Sequence, residues 1–428
     1  MDKSTKETRA VKIMNREYYD TKKELKDKLH SAFEVLVSLN HPNVVRTYDI
    51  YADPDNYYVV MEFVPGKGAL DYVRSLPAIT EKIVAGIMKD LLSALSYVHK
   101  SSACHGSLSF SDIIFSPVGS SNILKVVGLT GNQTLIDKKS PTLRDVIFYS
   151  PEAAANTDNS AAANDVWACG IICCTLLTGL VPFTVKPNIE DTLKEIKGCK
   201  IDIDTLKDGP WKKVSLEAKQ FLVRMLTKDP SKRSTAGALL YDKWLTTAAE
   251  AKISAEEFKG FCKQLLQMKG MTSMQNAMLY YMMEKAKTSS LQAKAAPLFK
   301  ELNKSGTGKI TKAEFVSVLE KVGINTKAEA EKIFSGLDLT GDGSIDYTEM
   351  MSAFFGKELI KNEENLKIAF DHLDVDKSGD LDIAEITSAL GGSDKGGETA
   401  KKIAKELAAY KDKKVKYPEF LELMKKLA

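Results

Sequence analysis

Apolar and polar positions alternate in two short segments near the start of the chain. The segment Arg9–Met14 (RAVKIM) carries Lys12 between apolar residues, and Tyr57–Val64 (YYVVMEFV) has a similar pattern. Alternation with a period of two is typical of a β-strand with one buried face. The longest apolar run, Val166–Phe183, contains two glycines, two threonines and a closing proline, so we interpret it as a buried core helix rather than a membrane span. The pattern predicts an α+β domain.

Helical spacing of apolar residues becomes prominent after residue 250. Ser254 and Glu257 have the spacing of a capping box, which predicts the start of a helix. Two apolar stripes at helical spacing follow, separated by Gly270. They consist of Phe258, Phe261, Cys262, Leu265 and Leu266, and then of Met271, Met274, Met278, Tyr281 and Met282. Two ordinary core helices would give this pattern, but methionine also suits a surface that packs in more than one arrangement.

Four related units follow, beginning at Asn303, Asp338 and Asp374, with a degenerate copy near Ala408. In the second and third, a twelve-residue segment has oxygen-bearing side chains at positions 1, 3, 5 and 9, glycine at 6 and glutamate at 12. This spacing is typical of the EF-hand loop, whose oxygens surround one Ca²⁺. The ligands predicted for loop 2 (DLTGDGSIDYTE) are Asp338, Thr340, Asp342, the carbonyl of Ser344, Asp346 and Glu349. Those predicted for loop 3 (DVDKSGDLDIAE) are Asp374, Asp376, Ser378, the carbonyl of Asp380, Asp382 and Glu385.

The first and fourth loops depart from this pattern. Loop 1 (NKSGTGKITKAE) keeps Gly308 and Glu314 but has neutral side chains where carboxylates are usual, so we expect it to be weak or empty. Loop 4 (near AYKDKKVKYPEF) keeps Glu419 but contains several lysines and no glycine turn, so we expect no metal there. Because EF-hands pair first with second and third with fourth, each pair should hold one competent calcium site.

Another set of motifs occupies the first 245 residues. In chain order they are Lys12 in its strand, LNHPNVV at Leu39–Val45, the strand Tyr57–Val64, His105, Ser150–Glu152, the series Asp165, Trp167 and Gly170, and Arg233 in DPSKRS. This order resembles that of the protein kinases, which have a bilobal fold. The resemblance implies that Lys12 stands at the lysine that grips the nucleotide phosphates, and that Glu152 and Arg233 form a buried ion pair.

The resemblance fails at the positions that carry phosphoryl transfer. The kinase catalytic loop reads HRDLKPEN, where the Asp is the base, the Lys steadies the phosphate and the Asn holds a metal ion. Ser107, Ser109 and Asp112 occupy these places. Gly128 replaces the metal-binding Asp of DFG, and Ala32 replaces the helix Glu that would hold Lys12. A neutral serine cannot act as the base, so we expect no catalytic residues, a vestigial role at most for Lys12, and no Mg-ATP binding.

The small lobe departs from the kinase pattern as well. No glycine precedes Lys12, so the strands of the glycine-rich phosphate loop are missing from the predicted small lobe. We expect the remaining strands to pair, with the strand of Lys12 at an exposed edge.

The whole arrangement resembles the calcium-dependent protein kinases of plants and protists. We assign residues 1–248 to a kinase-like domain (small lobe 1–62, large lobe 63–248), 249–290 to junction helices and 291–428 to an all-α, calmodulin-like module of four EF-hands. The resemblance implies that calcium moves this module and rearranges the junction, whose helices at 254–287 are its intramolecular partner. The leading hypothesis is a calcium-binding pseudokinase that acts as a scaffold or regulator of a protein partner. An active, calcium-regulated serine/threonine kinase and a simple calcium buffer stay open as alternatives.

Composition and charge limit the classes of partner that the chain is expected to bind. The chain has 60 basic and 57 acidic residues and a formal charge of +3, so bulk electrostatics favour neither nucleic acid nor a membrane surface. The six cysteines have no paired metal spacing, and we interpret them as core thiols in a reducing cytoplasm. We expect no membrane segment and a cytoplasmic location.

Overall fold

The computed structural model of the chain describes residues 7–21, 23–118, 121–129, 141–157, 161–247, 260, 272–285, 289–321, 327–338, 340–388 and 398–426. The chain divides into two compact units. One comprises Ala10–Glu250 with Ser305–Thr307. The other comprises Ala251–Lys304 and Gly308–Ala428, together with Met1–Arg9.

The first unit begins with a small lobe of mixed helix and sheet. Its described elements are β1 (Arg9–Asn15), α1 (Arg16–Asp20), α2 (Lys23–Ser38), β2 (Thr47–Ala52) and β3 (Asn56–Glu62). Strands β2 and β3 form an antiparallel hairpin, whose turn is closed by backbone N–H groups of Asp55 and Asn56 donating to Asp53 Oδ1. The order of the sheet is β1-β3-β2. This confirms that Lys12 lies in a strand, and among the described strands it is at one edge of the sheet.

Helix α2 packs on the sheet through one face. Leu29, Ala32 and Leu36, spaced three and four residues apart, are all buried. This spacing places them on the same side of a helix. Ala32 belongs to an apolar cluster with Tyr19, Leu29 and Tyr57. At the position where the resemblance implies a charged glutamate, the chain therefore has a residue that serves packing.

The large lobe is mainly helical around one apolar core. Its described strands and helices are β4 (Lys67–Gly68), α3 (Ala69–Arg74), α4 (Glu81–Lys100), β5 (Ile113–Val118), β6 (Ser121–Val126), α5 (Leu143–Val146), α6 (Pro151–Ala155), α7 (Ala161–Thr178), α8 (Ile189–Gly198), α9 (Leu216–Met225) and α10 (Ala236–Leu239). Single turns of 3₁₀ helix lie at Phe110–Asp112, Ile203–Thr205, Gly209–Lys213 and Lys243–Thr247. Strands β4, β5 and β6 form an antiparallel ribbon.

Helix α7 is the axis of this core. It is buried without interruption from Asn164 to Cys174 and packs against α4 and α9. By length and composition alone it could cross a membrane, but 67% of the segment is buried inside the protein. This confirms the prediction of a buried core helix. The helix begins before the apolar run and ends inside it, at Thr178, because Gly179 adopts a φ of +76° and Pro182 follows.

The second unit is helical apart from two short β-ladders. Its described elements are α11 (Ser273–Lys285), α12 (Ser289–Leu302), β7 (Ile310–Thr311), α13 (Lys312–Lys321), α14 (Lys327–Leu337), β8 (Ser344–Ile345), α15 (Tyr347–Ile360), α16 (Glu363–Leu373), β9 (Asp380–Leu381), α17 (Ile383–Ser388), α18 (Glu398–Leu407), β10 (Val415–Lys416) and α19 (Tyr417–Lys425). A 3₁₀ turn lies at Lys411–Lys413. Strand β7 pairs with β8, and β9 pairs with β10. This confirms that loop 1 pairs with loop 2 and loop 3 with loop 4.

Helix α11 carries the second of the two predicted apolar stripes. Met274, Met278 and Met282 are buried, as the stripe predicts, whereas Tyr281 is only partly buried. The helix is also buried on its other sides, since Ala277, Leu279 and Met283 are inaccessible as well. It contacts α15, α16, α17 and α18, which pack against it from several sides. Met271 of this stripe, the whole first stripe and its capping box lie outside the described residues.

Candidate functional site

The segment that replaces the kinase catalytic loop is held by the start of α7. The backbone N–H groups of His105 and Gly106 donate to the two carboxylate oxygens of Asp165, each at 2.8 Å. His105 is fully buried, and its Nε2 lies 2.8 Å from the carbonyl oxygen of Val127. These hydrogen bonds anchor the loop to the start of α7 and to the segment after β6. Ser107, at the place of the base, is exposed.

The side chains of Ser109 and Asp112 form a hydrogen bond with each other. Asp112 Oδ2 accepts hydrogen bonds from Ser109 N at 2.9 Å and from Ser109 Oγ at 2.7 Å. Ser109 Oγ in turn accepts from the backbone N–H of Ser111. This reciprocal arrangement caps the 3₁₀ turn Phe110–Asp112. The Asp112 carboxylate, at the place of the metal-binding Asn, therefore already serves as a structural cap.

Gly128 lies directly against this carboxylate. Its φ is +79°, and a Cβ atom added to it would lie 2.9 Å from Asp112 Oδ1 and 3.6 Å from His105 Nε2. A contact of 2.9 Å is too short for a carbon and a non-bonded oxygen, so a side chain at residue 128 would require Asp112 to move. The structure thus brings Asp112, Gly128 and His105 together.

An apolar cavity of about 240 Å³ opens beside Gly128. It is lined by Ala10, Val11, Lys12, Met14, Leu29, Phe33, Leu36, Leu39, Val45, Thr47, Val59, Met61, Val127, Gly128 and Leu129. Lys12 is thus placed on the same cavity as Gly128, whereas Ala32 lies in the neighbouring apolar cluster. Sequence reasoning did not find this cavity, because its walls come from five separate segments whose meeting depends on the tertiary fold.

Glu152 and Arg233 form a buried ion pair in the large lobe. Arg233 donates from Nη1 to Glu152 Oε1 at 2.6 Å and from Nη2 to Oε2 at 3.0 Å. The side chain of Arg233 is 0% exposed and that of Glu152 is 6% exposed. The Arg233 guanidinium lies over the Trp167 ring, 5.1 Å from its centroid. The predicted ion pair is confirmed. Its two-pronged geometry suits a buried arginine and carboxylate.

Loop 3 gathers carboxylates around one point. Oxygen atoms of Asp374, Asp376 and Glu385 all lie within 4.8 Å of one another. Gly379, at a φ of +83°, permits the turn that brings its own backbone N–H to Asp374 Oδ2 at 2.9 Å. Glu385 accepts from the backbone N–H groups of Val375 and Asp382, each at 3.0 Å. A set of donors made only of oxygen atoms suits a hard divalent cation such as Ca²⁺.

The remaining loop 3 residues lie in the same turn. Ser378 Oγ is 3.1 Å from the carbonyl oxygen of Asp380. Asp382 Oδ1 accepts from the backbone N–H of Glu385 at 2.9 Å, and so caps α17.

Loop 2 buries its last ligand deeply. Glu349 is 1% exposed and accepts backbone N–H groups of Thr340 at 2.9 Å and Asp346 at 2.8 Å. Burial, and then the negative charge of Asp346, raises the pKa of Glu349 to about 8. A divalent cation beside it would stabilise the ionised form. Asp338 accepts from the N–H groups of Gly341 at 2.8 Å and Gly343 at 2.9 Å. The loop residues therefore fit Ca²⁺.

A lysine of each degenerate loop forms an ion pair with an aspartate of the loop it pairs with. Lys309 Nζ of loop 1 pairs with Oδ2 of Asp342 in loop 2. Lys414 Nζ of loop 4 lies 2.7 Å from Oδ1 of Asp380 in loop 3. From the sequence, Lys414 was expected only to disfavour metal in its own loop, and Lys309 was given no role. A signal exists, because each lysine is the seventh residue of its loop when the loop is counted back from Glu314 or Glu419.

The glutamates that end these two loops serve as helix caps. Glu314 Oε2 accepts from Thr311 N and Oγ1, and Glu419 Oε2 accepts from Lys416 N. In loop 4 the turn uses Asp412 and Lys413 at φ values of 56° and 55°, without a glycine.

One contact joins helix α11 to loop 2. Tyr280, which is mostly buried, donates from its hydroxyl to Asp346 Oδ2 at 3.4 Å. The start of the same helix is held by Glu406 of α18, whose two oxygens accept from the backbone N–H groups of Ser273 and Met274 at 2.9 Å. The methionine-rich helix therefore contacts both a predicted calcium ligand and the fourth EF-hand.

The similarity to known proteins extends over the whole chain. The family model of the protein kinase domain matches residues 1–245, and that of the EF-hand domain pair matches residues 292–355 and 363–425. Calcium-dependent protein kinase 4 of Plasmodium falciparum is 26% identical over 444 residues, which cover 100% of this chain and 83% of that protein. Calcium-dependent protein kinase 9 of Arabidopsis thaliana is 27% identical over 433 residues, covering 99% and 78%. The crystal structure of Rad53 1-466 in complex with AMP-PNP matches 56% of this chain and 58% of that chain, with 29% identity and a TM-score of 0.45.

Proposed function

Because the chain belongs to the calcium-dependent protein kinase family, we propose that it is a pseudokinase member, a calcium sensor whose kinase-like domain acts as a scaffold or regulator. The domain boundaries 1–248, 249–290 and 291–428 are part of this proposal, as is a cytoplasmic location.

The geometry at Asp112 and Gly128 carries the proposal. A kinase holds the metal ions of Mg-ATP with an Asp and an Asn, and here glycine stands at the first position. Asp112, at the second, accepts two hydrogen bonds from Ser109, and its other oxygen lies 2.9 Å from the position of a Cβ at residue 128. These residues do not fit Mg-ATP as an active kinase holds it. Ser107 supplies no base, and the loss of both functions leaves too few groups to stabilise a phosphoryl-transfer transition state.

Calcium supplies the input. The EF-hand pairs support calcium binding, and we assign it to loops 2 and 3. Loop 3 would hold the ion with Asp374, Asp376, Ser378, the carbonyl of Asp380, Asp382 and Glu385, and loop 2 with the corresponding residues from Asp338 to Glu349. The bound ion supplies a double positive charge that neutralises carboxylates held close together. Sensor loops of this kind typically bind at ~10⁻⁷ to 10⁻⁵ M.

Helix α11 is the element through which this input would act. It is buried among EF-hand helices and touches Asp346 through Tyr280. A change at loop 2 therefore reaches the helix directly, and sensor EF-hands expose apolar, methionine-rich surface when they bind calcium. We expect the junction at 254–287 to rearrange and a protein partner to read the new surface.

The experiment that tests this proposal is a phosphotransfer assay with the purified full chain, calcium, Mg-ATP and a general protein substrate. We expect no transfer above a control without enzyme. Transfer that survives Lys12→Ala but is lost in Asp112→Ala would instead indicate an active kinase with an unconventional site. That alternative is favoured by the names of the relatives, which are kinases. A calcium buffer would bind calcium without increasing the fluorescence of an apolar probe such as ANS.

A further inference from the structure

Lys309 of loop 1 forms an ion pair with Asp342, a predicted calcium ligand of loop 2. Its ammonium group pairs with Oδ2 of Asp342, the fifth residue of the loop, while Oδ1 of the same carboxylate accepts from Ser344 N at 2.9 Å and Ser344 Oγ at 2.6 Å. Both oxygens of this predicted calcium ligand are therefore engaged by the protein. The charged groups are 46% and 39% exposed, so an ion can reach them from solvent.

The backbone holds loops 1 and 2 side by side. Strand β7 pairs with β8 so that Ile310 is opposite Ile345 and Thr311 is opposite Ser344. Lys309 immediately precedes β7, and Asp342 lies two residues before β8. Because the strands are antiparallel, Lys309 and Asp342 lie toward opposite ends of this two-residue ladder, and the Lys309 side chain extends along it to reach the carboxylate. The ladder thus keeps the two loops adjacent, and the side-chain pair joins them.

We propose that Lys309 is an internal counter-ion of loop 2, which lowers the calcium affinity of that loop so that loop 3 fills first. This inference rests on the proposed assignment of calcium to both loops. For Asp342 to bind Ca²⁺, its carboxylate must exchange the ammonium for the ion or share its charge between them. In either case the cation of Lys309 is near a second cation, and the repulsion opposes binding.

Lys414 provides a matched comparison in the other pair. It also occupies the seventh position of a degenerate loop, and it pairs with Asp380 at 2.7 Å. Asp380 is the seventh residue of loop 3, and that position ligates calcium through its backbone carbonyl. The carboxylate held by Lys414 is therefore not itself a predicted ligand. Calcium need not displace Lys414, so loop 3 should be affected less by its lysine than loop 2 is by Lys309.

Calorimetric calcium titrations of the full chain test this asymmetry. The Glu385→Gln background weakens loop 3 and isolates loop 2, and Glu349→Gln does the reverse. In the Glu385→Gln background, Lys309→Gln should tighten calcium binding about two- to fivefold, the size expected for an exposed ion pair, and Lys309→Arg should leave it nearly unchanged. In the Glu349→Gln background, Lys309→Gln should change the affinity by less than twofold, and Lys414→Gln should have a smaller effect on loop 3 than Lys309→Gln has on loop 2.

Salt gives a second measurement, since repulsion between exposed charges is screened. The gain from Lys309→Gln should shrink as the salt concentration rises. An unchanged or weaker loop 2, or an equal gain in both loops, would overturn the proposal while leaving the calcium sites in place. If loop 2 binds no calcium with either lysine or glutamine at residue 309, the assignment of loop 2 fails and the role of Lys309 fails with it. Melting temperatures in chelator establish that each variant is folded.

Discussion

The carboxylate of Asp112 leaves too little room for an unshifted side chain at residue 128. A Cβ on Gly128 would be 2.9 Å from Asp112 Oδ1, and Ser109 holds the other oxygen through two hydrogen bonds. The two positions that bind metal ions in an active kinase are therefore sterically coupled here. A side chain introduced at residue 128 would therefore require the Asp112 carboxylate to move.

The first prediction tests that coupling with alanine. Gly128→Ala should destabilise the protein more than Gly179→Ala. Both glycines have nearly the same positive φ, +79° and +76°, but Gly179 has open space around its Cβ position. The shared backbone cost is about 1–2 kcal/mol. The excess for Gly128→Ala should be about 1 kcal/mol, the net value of the hydrogen bonds that Asp112 would lose on moving.

Urea unfolding followed by circular dichroism measures this difference. Adding Asp112→Ala should remove most of the excess at residue 128 and none of the cost at residue 179. Equal costs for the two glycine variants would mean that Asp112 does not restrict residue 128. We also expect Gly128→Asp not to produce phosphotransfer, because Ser107 is unchanged.

The second prediction concerns the buried pair of Glu152 and Arg233. Arg233→Met leaves the Glu152 carboxylate buried without its cation, which should cost about 3–5 kcal/mol in the free energy of unfolding. Lys186→Met is a suitable control, because its pair with Glu195 is substantially exposed, at 40% and 38%. The control should cost no more than about 1 kcal/mol. The double variant Glu152→Gln/Arg233→Met should recover part of the loss, and similar costs for both single variants would contradict the account.

The third prediction separates competent from degenerate calcium loops. Glu385→Gln removes a carboxylate charge from the oxygen cluster of loop 3 and should weaken that site at least about tenfold. Calorimetry should then detect one tight site in place of two. Glu419→Gln, at the corresponding position of loop 4, should leave both sites unchanged. Loss of a tight site in Glu419→Gln would show that loop 4 binds calcium.

The fourth prediction concerns the thiols of α7. Burial raises the pKa of Cys169 and Cys173 well above the ordinary value and raises the pKa of Cys174 to about 12. Since the thiolate is the reactive form, these residues should react with DTNB at pH 8 only when the protein unfolds. Cys262 lies outside the described residues, so the test uses a Cys262→Ser background. Rapid native labelling that maps to α7 would mean that this helix is not buried.

Short-range patterns predicted the fold well where local chemistry decides structure. The strand of Lys12, the buried helix α7 and the pairing of the loops follow from alternation, apolar length and motif spacing. The end of α7 at Thr178 was missed because the apolar run continues through Gly179, whose backbone conformation ends the helix. The burial of α11 on all sides was missed as well, because a single stripe does not reveal how many neighbours a helix has.

The contacts within the sites depended more on tertiary structure. Motif position identified Asp112 and Gly128, but not that the carboxylate of one blocks the side chain of the other. The pairing of Lys309 with Asp342 joins residues in separate loops, and no periodicity relates them. The only feature of the sequence that indicates this pair is the lysine at the seventh position of both degenerate loops.

The central proposal is that calcium is a ligand of this protein and Mg-ATP is not. Thermal melts of the purified full chain, in calcium or chelator and each with and without Mg-ATP, test it most directly, because a ligand that binds the native state raises the melting temperature. We expect calcium to raise the melting temperature and Mg-ATP to leave it unchanged in both conditions. A clear rise with Mg-ATP beyond that with Mg²⁺ alone would contradict the account, because it would mean that the cavity beside Gly128 still binds nucleotide.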